Sequence, residues 1–207
     1  SVCFSAALMS SQKFLELLKR KMLNSTYRVK ACNCLSLATL LGFALFAVQA
    51  ASDYEDGVKA AFSGDFDTAF REFSLAAQQG LDLAQYNLAI LYFTGQGVDQ
   101  DYALAFSWTE AAALQGHVNA QANLASLYLE GTGVVQDVNQ AIDWFSTAGR
   151  SGHANAAITL ALMYRDGKPI EQDFVQAHAW AQVAQREEHP EAEGVLSGLD
   201  TLLNKEQ

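Results

Sequence analysis

Three histidines recur at a fixed interval of 36 residues, and imidazole is the side chain best suited to proton transfer or metal binding near neutral pH. They are His117, His153 and His189, whereas His178 lies outside the interval. If each interval is a pair of helices, successive histidines are roughly 20 Å apart, because packed helices lie about 8 to 10 Å from each other. They cannot then share one metal ion. We expect all four to be structural or surface residues, with His117, His153 and His189 opening helices.

Two further patterns could do chemistry. Gly95-Gln96-Gly97 and Gly131-Thr132-Gly133 resemble parts of a phosphate-binding loop, but each follows a helical pattern, and no Gly-Lys-Ser/Thr comes after it. The sequence contains no Gly-x-Ser-x-Gly nucleophile elbow. Its Ser-x-x-Lys pattern, from Ser10 to Lys13, lies in the leader described below. The sequence therefore predicts no catalytic residue, no cofactor, no metal and no enzyme activity.

Charge divides the chain near residue 50. Residues 1–50 contain six Lys or Arg and one acidic residue, a net charge of +5, whereas residues 51–207 contain seven basic and 22 acidic residues, a net charge of −15. A nucleic-acid-binding face must be basic to contact phosphates. We therefore expect no nucleic-acid partner, and we interpret most of the acidic surface as solvated.

The basic part has the features of an export signal. Residues 35–48 read LSLATLLGFALFAV, a run shorter than the roughly 20 residues that span a bilayer as a helix. Arg28 and Lys30 precede it, and the small residues of Val48-Gln49-Ala50 follow, as a signal peptidase requires. We expect cleavage after Ala50, a periplasmic or secreted protein, and membrane contact only during export. An uncleaved signal anchor is the alternative.

The leader also contains every cysteine of the chain: Cys3, Cys32 and Cys34. A lipid-modified cysteine would have to follow the apolar run, so this order does not predict a lipoprotein. Translation is expected to start at Met22, because residues 1–21 would form an unusually long basic region. The mature chain then has no thiol, which excludes disulfides, cysteine-ligated zinc and a cysteine nucleophile.

Residues 81–188 form three copies of a 36-residue unit. The first copy contains Leu88, Tyr92, Gly95, Asp101 and Trp108, and the same residue types recur 36 and 72 positions later. A fixed period of this length is typical of a solenoid, in which each unit buries its apolar face against its neighbours.

Each copy contains two helical patterns. Ala84 and Leu88 begin an apolar stripe with helical spacing. Gly95 is expected to end this first helix in a left-handed conformation, and Asp101 to cap the start of the second. The unit is therefore predicted to be an antiparallel helix pair.

The sequence order Leu-Ala-x-x-Tyr, glycine turn, Asp, Ala, Trp and a further Ala resembles the Sel1-like repeat family. The spacing of Gly57, Ala69, Phe73 and Ala76 resembles a tetratricopeptide repeat. These resemblances imply an all-α fold, a right-handed superhelical solenoid of antiparallel helix pairs, and an adaptor role in protein complexes, here in an exported bacterial member. The expected divisions are a leader (1–50), a tetratricopeptide-like helix pair (51–80), three repeats (81–116, 117–152 and 153–188) and a C-terminal capping helix (189–207).

In a tetratricopeptide-like superhelix, the first helix of each pair lines the concave surface. The face of these helices opposite the packing stripe is apolar in the first copy and more polar later. Apolar residues that the stack does not bury usually mark an interface, so we predict a groove for a protein or peptide ligand, either an amphipathic helix or an extended peptide. Its predicted residues are Tyr54, Val58, Phe62, Leu83, Tyr86, Ile90, Phe93, Asn119, Ala122, Ser126, Leu129, Asn155, Ile158, Leu162 and Arg165.

Two alternatives remain open at the level of sequence. The apolar strip is covered by the curvature of the superhelix itself or by a second copy of the chain. Alternatively, the solenoid binds cell-wall peptide or a beta-lactam, with weak beta-lactamase-like hydrolysis, because some secreted relatives carry a beta-lactamase label.

Overall fold

The computed structural model describes residues 49–203, which form nine α-helices and contain no β-strand. Helix α1 covers residues 49–63. The others are α2 (Phe66–Gln78), α3 (Asp82–Thr94), α4 (Tyr102–Leu114), α5 (Val118–Glu130), α6 (Val138–Arg150), α7 (Ala154–Asp166), α8 (Phe174–Arg186) and α9 (Ala192–Leu203).

The helices pack in chain order. From α2 onward, each helix contacts mainly the helix before it and the helix after it. Successive helices pair as α3/α4, α5/α6 and α7/α8, and α9 packs on α8 without a partner of its own within the described residues. Contacts of Gly57 with Phe73 and of Asp53 with Gln79 pair α1 with α2. This arrangement confirms the predicted all-α solenoid of helix pairs.

Identical caps recur at the predicted positions. The Asp101 carboxylate accepts hydrogen bonds from the backbone N–H groups of Ala103 (2.9 Å) and Leu104 (3.0 Å). Asp137 and Asp173 cap α6 and α8 in the same way. Such caps satisfy the free N–H groups at the start of a helix. The first helices of the repeats end, as expected, at glycines with left-handed backbone: Gly95, Gly131 and Gly167.

The second glycine of the turn brings neighbouring pairs into backbone contact. A Cβ atom on Gly97 would overlap the carbonyl group of Phe66, and one on Gly133 would overlap that of Tyr102. Phe66 and Tyr102 are each the first residue of the second helix in the preceding pair. The turn of one pair therefore packs directly on the previous pair, which fixes the spacing of the stack.

The core is distributed along the stack. Small side chains face the helix interfaces, and Ala69, Ala105, Ala141 and Ala177, which share one repeat position, are at most 1% exposed. The tryptophans do not meet at one centre. Trp108 packs on an N-terminal cluster of buried residues that includes Phe73 and Leu88. Trp180 belongs to a C-terminal cluster that includes Phe145 and Leu160. This is the core expected when each unit packs only on its neighbours.

Polar side chains form a repeated bridge between pairs. Gln79, at the end of α2, donates its side-chain amide to Asp53 Oδ2 of α1 at 3.0 Å. One repeat later, Gln115 at the end of α4 donates to Gln85 Oε1 of α3 at 2.7 Å. Each bridge gives a donor to a buried acceptor, since Asp53 and Gln85 are 8% and 7% exposed.

The bridge is absent in the next pair. Gln121 is the equivalent of Gln85 and donates its amide to the Ala113 carbonyl at 3.3 Å, but its Oε1 atom is buried with no partner in the described structure. The residue 36 positions after Gln115 is Ser151, whose side chain carries no amide donor of comparable reach. Leaving a buried acceptor unpaired costs stability.

Restoring the donor should stabilise the protein. We expect Ser151→Gln to raise the free energy of unfolding by about 1 kcal/mol, the typical net value of one added hydrogen bond. Urea denaturation followed by circular dichroism measures it. In a Gln121→Ala background, which places there the alanine that the next repeat has at Ala157, the same substitution should give no gain. An equal gain in both backgrounds would contradict the assignment.

Candidate functional site

An open pocket lies between the first helices of the first two repeats. Its volume is about 240 Å³. We call it the Thr109 pocket. It is lined by Tyr86, Ala89, Ile90 and Phe93 of α3, Thr109 of α4, and Asn123, Ser126, Leu127 and Glu130 of α5. Four residues of the predicted groove, Tyr86, Ile90, Phe93 and Ser126, therefore lie around one pocket.

The pocket exists because one repeat has a small residue where its neighbours have an aromatic ring. Phe73 and Phe145 stand 36 residues before and after Thr109, and both rings are buried, at 3% and 5% exposure. Thr109 is buried as well, and its hydroxyl donates to the Ala105 carbonyl at 2.7 Å. The hydroxyl is thus used within the helix, and the volume of the missing ring is left empty.

Contacts within the stack hold the aromatic walls of the pocket. The ring of Tyr86 stacks on His117, with centroids 4.4 Å apart, and the Asn123 side chain donates to the Tyr86 hydroxyl at 3.5 Å. Phe93 packs edge-on against Tyr102 at 5.3 Å and keeps 42% of its surface exposed. The walls are therefore positioned before any ligand binds, which lowers the entropic cost of binding.

The segment of the chain that carries the pocket is acidic. Residues 72–149 contain eight Asp and Glu and no Lys or Arg. Glu130 lines the pocket and is exposed. Acidic residues also act on Tyr128 of α5: burial raises the pKa of its phenol, and the carboxylates of Glu110 and Asp137 raise it further. A cationic ligand would be attracted to this surface.

The other residues of the predicted groove are placed along the stack. Phe62 is 90% exposed and Leu83 is 42% exposed. Tyr54 and Val58 are half-buried against the cluster around Phe73. Further along, Asn119 and Asn155 are exposed, Leu129 and Leu162 are half-buried against the C-terminal cluster, and Arg165 pairs with its neighbour Asp166 at 2.6 Å.

Two predicted groove residues are not accessible. Ala122 and Ile158 are 6% and 5% exposed, and both belong to the cluster that contains the ring of Phe145. Because Phe145 is present where the preceding repeat has Thr109, the space between α5 and α7 is filled. The prediction that these two side chains face a partner is therefore wrong.

The sequence reasoning missed Thr109, Ala89, Asn123, Leu127 and Glu130. A signal for the first was present: Thr109 stands between Phe73 and Phe145 at intervals of 36 residues, although the next equivalent position is again small, Ala181. The other four lie on the sides of α3 and α5 that face each other across the pocket. The spacing of apolar residues in the sequence does not distinguish these sides from the sides that pack in the core.

A second cleft, of about 650 Å³, lies at the turn of the third repeat. It is lined by Val138, Ile142, Tyr164 and Pro169, among others. Pro169 stands where the earlier turns have their second glycine. Ile142 stands 36 residues after Phe106. In the preceding interface, Phe106 packs edge-on against Tyr128, with ring centroids 5.2 Å apart. This cleft lies outside the predicted groove.

His117 and His153 begin helices, as predicted, whereas His189 lies in the turn before α9, which begins at Ala192. Nδ1 of His117 accepts from the backbone N–H of Ala120, and Nδ1 of His153 from that of Ala156, both at 3.1 Å. His189 accepts from the backbone N–H of Glu191 at 3.2 Å. An acceptor Nδ1 requires an unprotonated atom. Within residues 49–203, no group of three or more His, Cys, Asp or Glu side chains is arranged to hold a metal ion.

Comparison with known proteins identifies the repeats. Residues 82–117, 118–153 and 154–184 match the family model of the Sel1 repeat. The chain belongs to the Sel1-like repeat family. Members of this family generally serve as scaffolds for protein interactions and are typically non-catalytic. The matched units begin one residue after the predicted boundaries at residues 81, 117 and 153.

Solved structures agree with this assignment. The crystal structure of a Sel1 repeat protein from Oxalobacter formigenes matches with a TM-score of 0.62 at 24% identity, over 70% of this chain and 57% of that chain, which shows the fold. A protective antigen present in uropathogenic Escherichia coli strains, displaying an SLR fold, matches with a TM-score of 0.62 at 35% identity, over 67% of this chain and 30% of that chain. The chain thus spans between about a third and three fifths of these relatives. No curated protein matches the chain.

The cap at His153 should make stability depend on pH. Burial lowers the pKa of His153 below the usual value for imidazole, although a backbone hydrogen bond opposes the shift. The unfolded chain then binds the proton more readily than the folded chain. The stability that this group contributes is complete above the unfolded pKa, about 6.5, and is lost as the pH falls to the folded value.

A variant that keeps the cap without titrating tests this. His153→Asn retains a side-chain acceptor at the start of α7. Between about pH 7.5 and about pH 5, the unfolding free energy of the wild-type protein should fall more than that of the variant. Urea denaturation at both pH values measures the difference, and an equal fall in the two proteins would show that His153 is not the responsible group.

Proposed function

We propose that this protein is an adaptor of the cell envelope, periplasmic or secreted, which binds a protein or peptide segment along the first helices of its repeats. The observation that supports this most directly is the exposed apolar surface of α1 and α3. Phe62, Leu83 and Phe93 keep between 42% and 90% of their surface accessible, on helices whose opposite faces are already buried in the stack. Exposed aromatic residues that a fold does not need are typical of an interface.

The charge of the surface defines the chemistry of the partner. Residues 49–203 contain six Lys and Arg and 21 Asp and Glu, a net charge of −15. The segment that carries all residues of the Thr109 pocket, positions 72–149, contains no Lys or Arg along 78 consecutive positions. We therefore propose a segment that carries apolar and basic side chains. Complementary charge accelerates association and excludes acidic competitors.

The proposed location rests on the leader sequence, almost all of which precedes the described residues. Gln49 and Ala50 are described and already belong to α1, where Gln49 donates to Asp53 Oδ1 at 2.6 Å. Cleavage after Ala50 would remove this contact and leave Asp53 bound to Gln79. N-terminal sequencing of exported protein tests the cleavage. Among the described helices, none has the length and apolar character needed to cross a membrane.

Removing the aromatic wall of the groove should abolish ligand binding. We expect the double variant Tyr86→Ala, Phe93→Ala to bind peptides at least about tenfold more weakly than the wild-type protein, because exposed aromatic anchors carry most of the binding energy at such interfaces. The probes are synthetic peptides that the wild-type protein selects from a displayed library of random sequences. Isothermal titration calorimetry gives the affinities, and circular dichroism checks that helicity is retained.

A matched control removes apolar surface elsewhere. Leu114 and Val175 are 71% and 69% exposed on second helices, away from the pocket. The double variant Leu114→Ala, Val175→Ala should bind the selected peptides as the wild-type protein does. Equal weakening in both double variants would contradict the groove. Selection of no peptide, together with sedimentation of the protein on purified peptidoglycan, would favour a cell-wall-binding module instead.

A further inference from the structure

We propose that the Thr109 pocket is the specificity pocket of the groove, and that it receives one phenylalanine side chain of a basic partner segment, with a nearby Lys or Arg of that segment paired with Glu130. This inference rests on the proposed function, because it names the side chains that the groove recognises.

The neighbouring helix pairs show which group fits this place. In the first pair, the ring of Phe73 packs against Gly57 of α1, so closely that a Cβ atom on Gly57 would lie 2.7 Å from the ring. In the third pair, Phe145 packs in one cluster with Ala125 of α5. Ala125 is the equivalent of Ala89, 36 residues earlier. An alanine on the first helix is thus compatible with a buried phenyl ring beside it.

The second pair has small residues at both positions. Ala89 and Thr109 line the pocket together, so neither the first nor the second helix supplies a ring. The fold therefore leaves open, at one interface, the space that it fills with its own phenylalanine at the interfaces on either side. A phenylalanine from another chain would complete the repeated packing arrangement.

The size of the pocket agrees with this occupant. An apolar cavity of about 150 Å³ is sufficient to hold a benzene molecule, and the Thr109 pocket measures about 240 Å³. Ile90, Phe93 and Leu127 supply apolar wall surface. Burial of a phenylalanine ring in such a site contributes through area removed from water and through aromatic contacts with Phe93 and Tyr86.

An acidic residue at the α5 edge of the pocket is the reason for proposing a Lys or Arg in the partner segment. Glu130 lies at the end of α5 and lines the pocket. Within residues 49–203, it has no Lys or Arg in ion-pair contact, and the first basic residues on either side of it in the sequence are Arg71 and Arg150. Its Oε2 accepts a long hydrogen bond from the Thr132 hydroxyl at 3.5 Å, which leaves the carboxylate able to pair with a cation of the ligand. It lies at the pocket edge, where an ion pair remains partly solvated.

Filling the pocket from within tests the proposal. Thr109→Phe installs the residue found in the neighbouring pairs, and Thr109→Val, of nearly the same volume, is the matched control. The wild-type protein is used to select peptides from a displayed random library. The selected peptides should share one Phe and a nearby Lys or Arg. Replacing that Phe by Ala should weaken binding to the wild-type protein and to Thr109→Val at least about tenfold, but should leave binding to Thr109→Phe nearly unchanged.

A direct contact measurement does not depend on the variant folding. Nuclear Overhauser effects between the ring protons of the peptide Phe and the methyl group of Thr109 are expected in the wild-type complex. Glu130→Gln should weaken the binding of peptides that contain the basic residue several-fold. It should not change the binding of peptides in which that residue is replaced by Met.

The outcomes separate the two proposals. If the wild-type protein selects no peptide, the proposed function itself fails. If peptides are selected and lose affinity for the Tyr86→Ala, Phe93→Ala variant, but contain no common Phe, or bind Thr109→Phe as tightly as the wild-type protein, the groove stands and the specificity pocket is overturned. Selection of acidic peptides would overturn the assigned role of Glu130.

Discussion

Close packing between successive helix pairs depends on small residues at fixed repeat positions. Ala105, Ala141 and Ala177 let the helices approach, and Gly97 and Gly133 let the turns of the first two repeats contact the backbone of the pair before them. Interiors are packed at crystal density, so the spacing between pairs has little tolerance. The spacing between helix pairs is therefore fixed, and a change in side-chain size at an interface produces a local cavity or a local overlap.

The two pockets and the unpaired buried acceptor of this chain arise where one repeat departs from the others. Thr109 in place of phenylalanine opens the pocket between α3 and α5. Pro169 and Ile142 border the cleft at the third turn, and Ser151 leaves Gln121 without a donor. Because the fixed spacing prevents the helices from closing these gaps, each substitution in the repeat pattern leaves its cavity or unpaired group at the site of the substitution. The deviations from the repeat pattern, rather than the pattern itself, therefore mark the candidate sites of this chain.

Capping and turn residues were predictable because their roles are local. An aspartate that accepts hydrogen bonds from the N–H groups two and three residues ahead, as Asp101 does, requires no information from distant parts of the chain. The same holds for the imidazole of His117 at the start of α5. The exposure of a side chain to solvent, in contrast, depends on residues that are distant in the sequence. Ala122 and Ile158 share the repeat position of Tyr86, 36 and 72 residues later, yet they are buried, because Phe145 on another helix fills the space beside them.

The sequence alone determined the all-α solenoid, its 36-residue period, its helix ends and its acidic surface, since each follows from residue type and spacing along the chain. Tertiary structure decided which side of each first helix remains open. That choice depends on the sum of side-chain volumes from three helices, here Ala89, Thr109 and Ser126, and such a sum can be evaluated when the helices are placed together and not before.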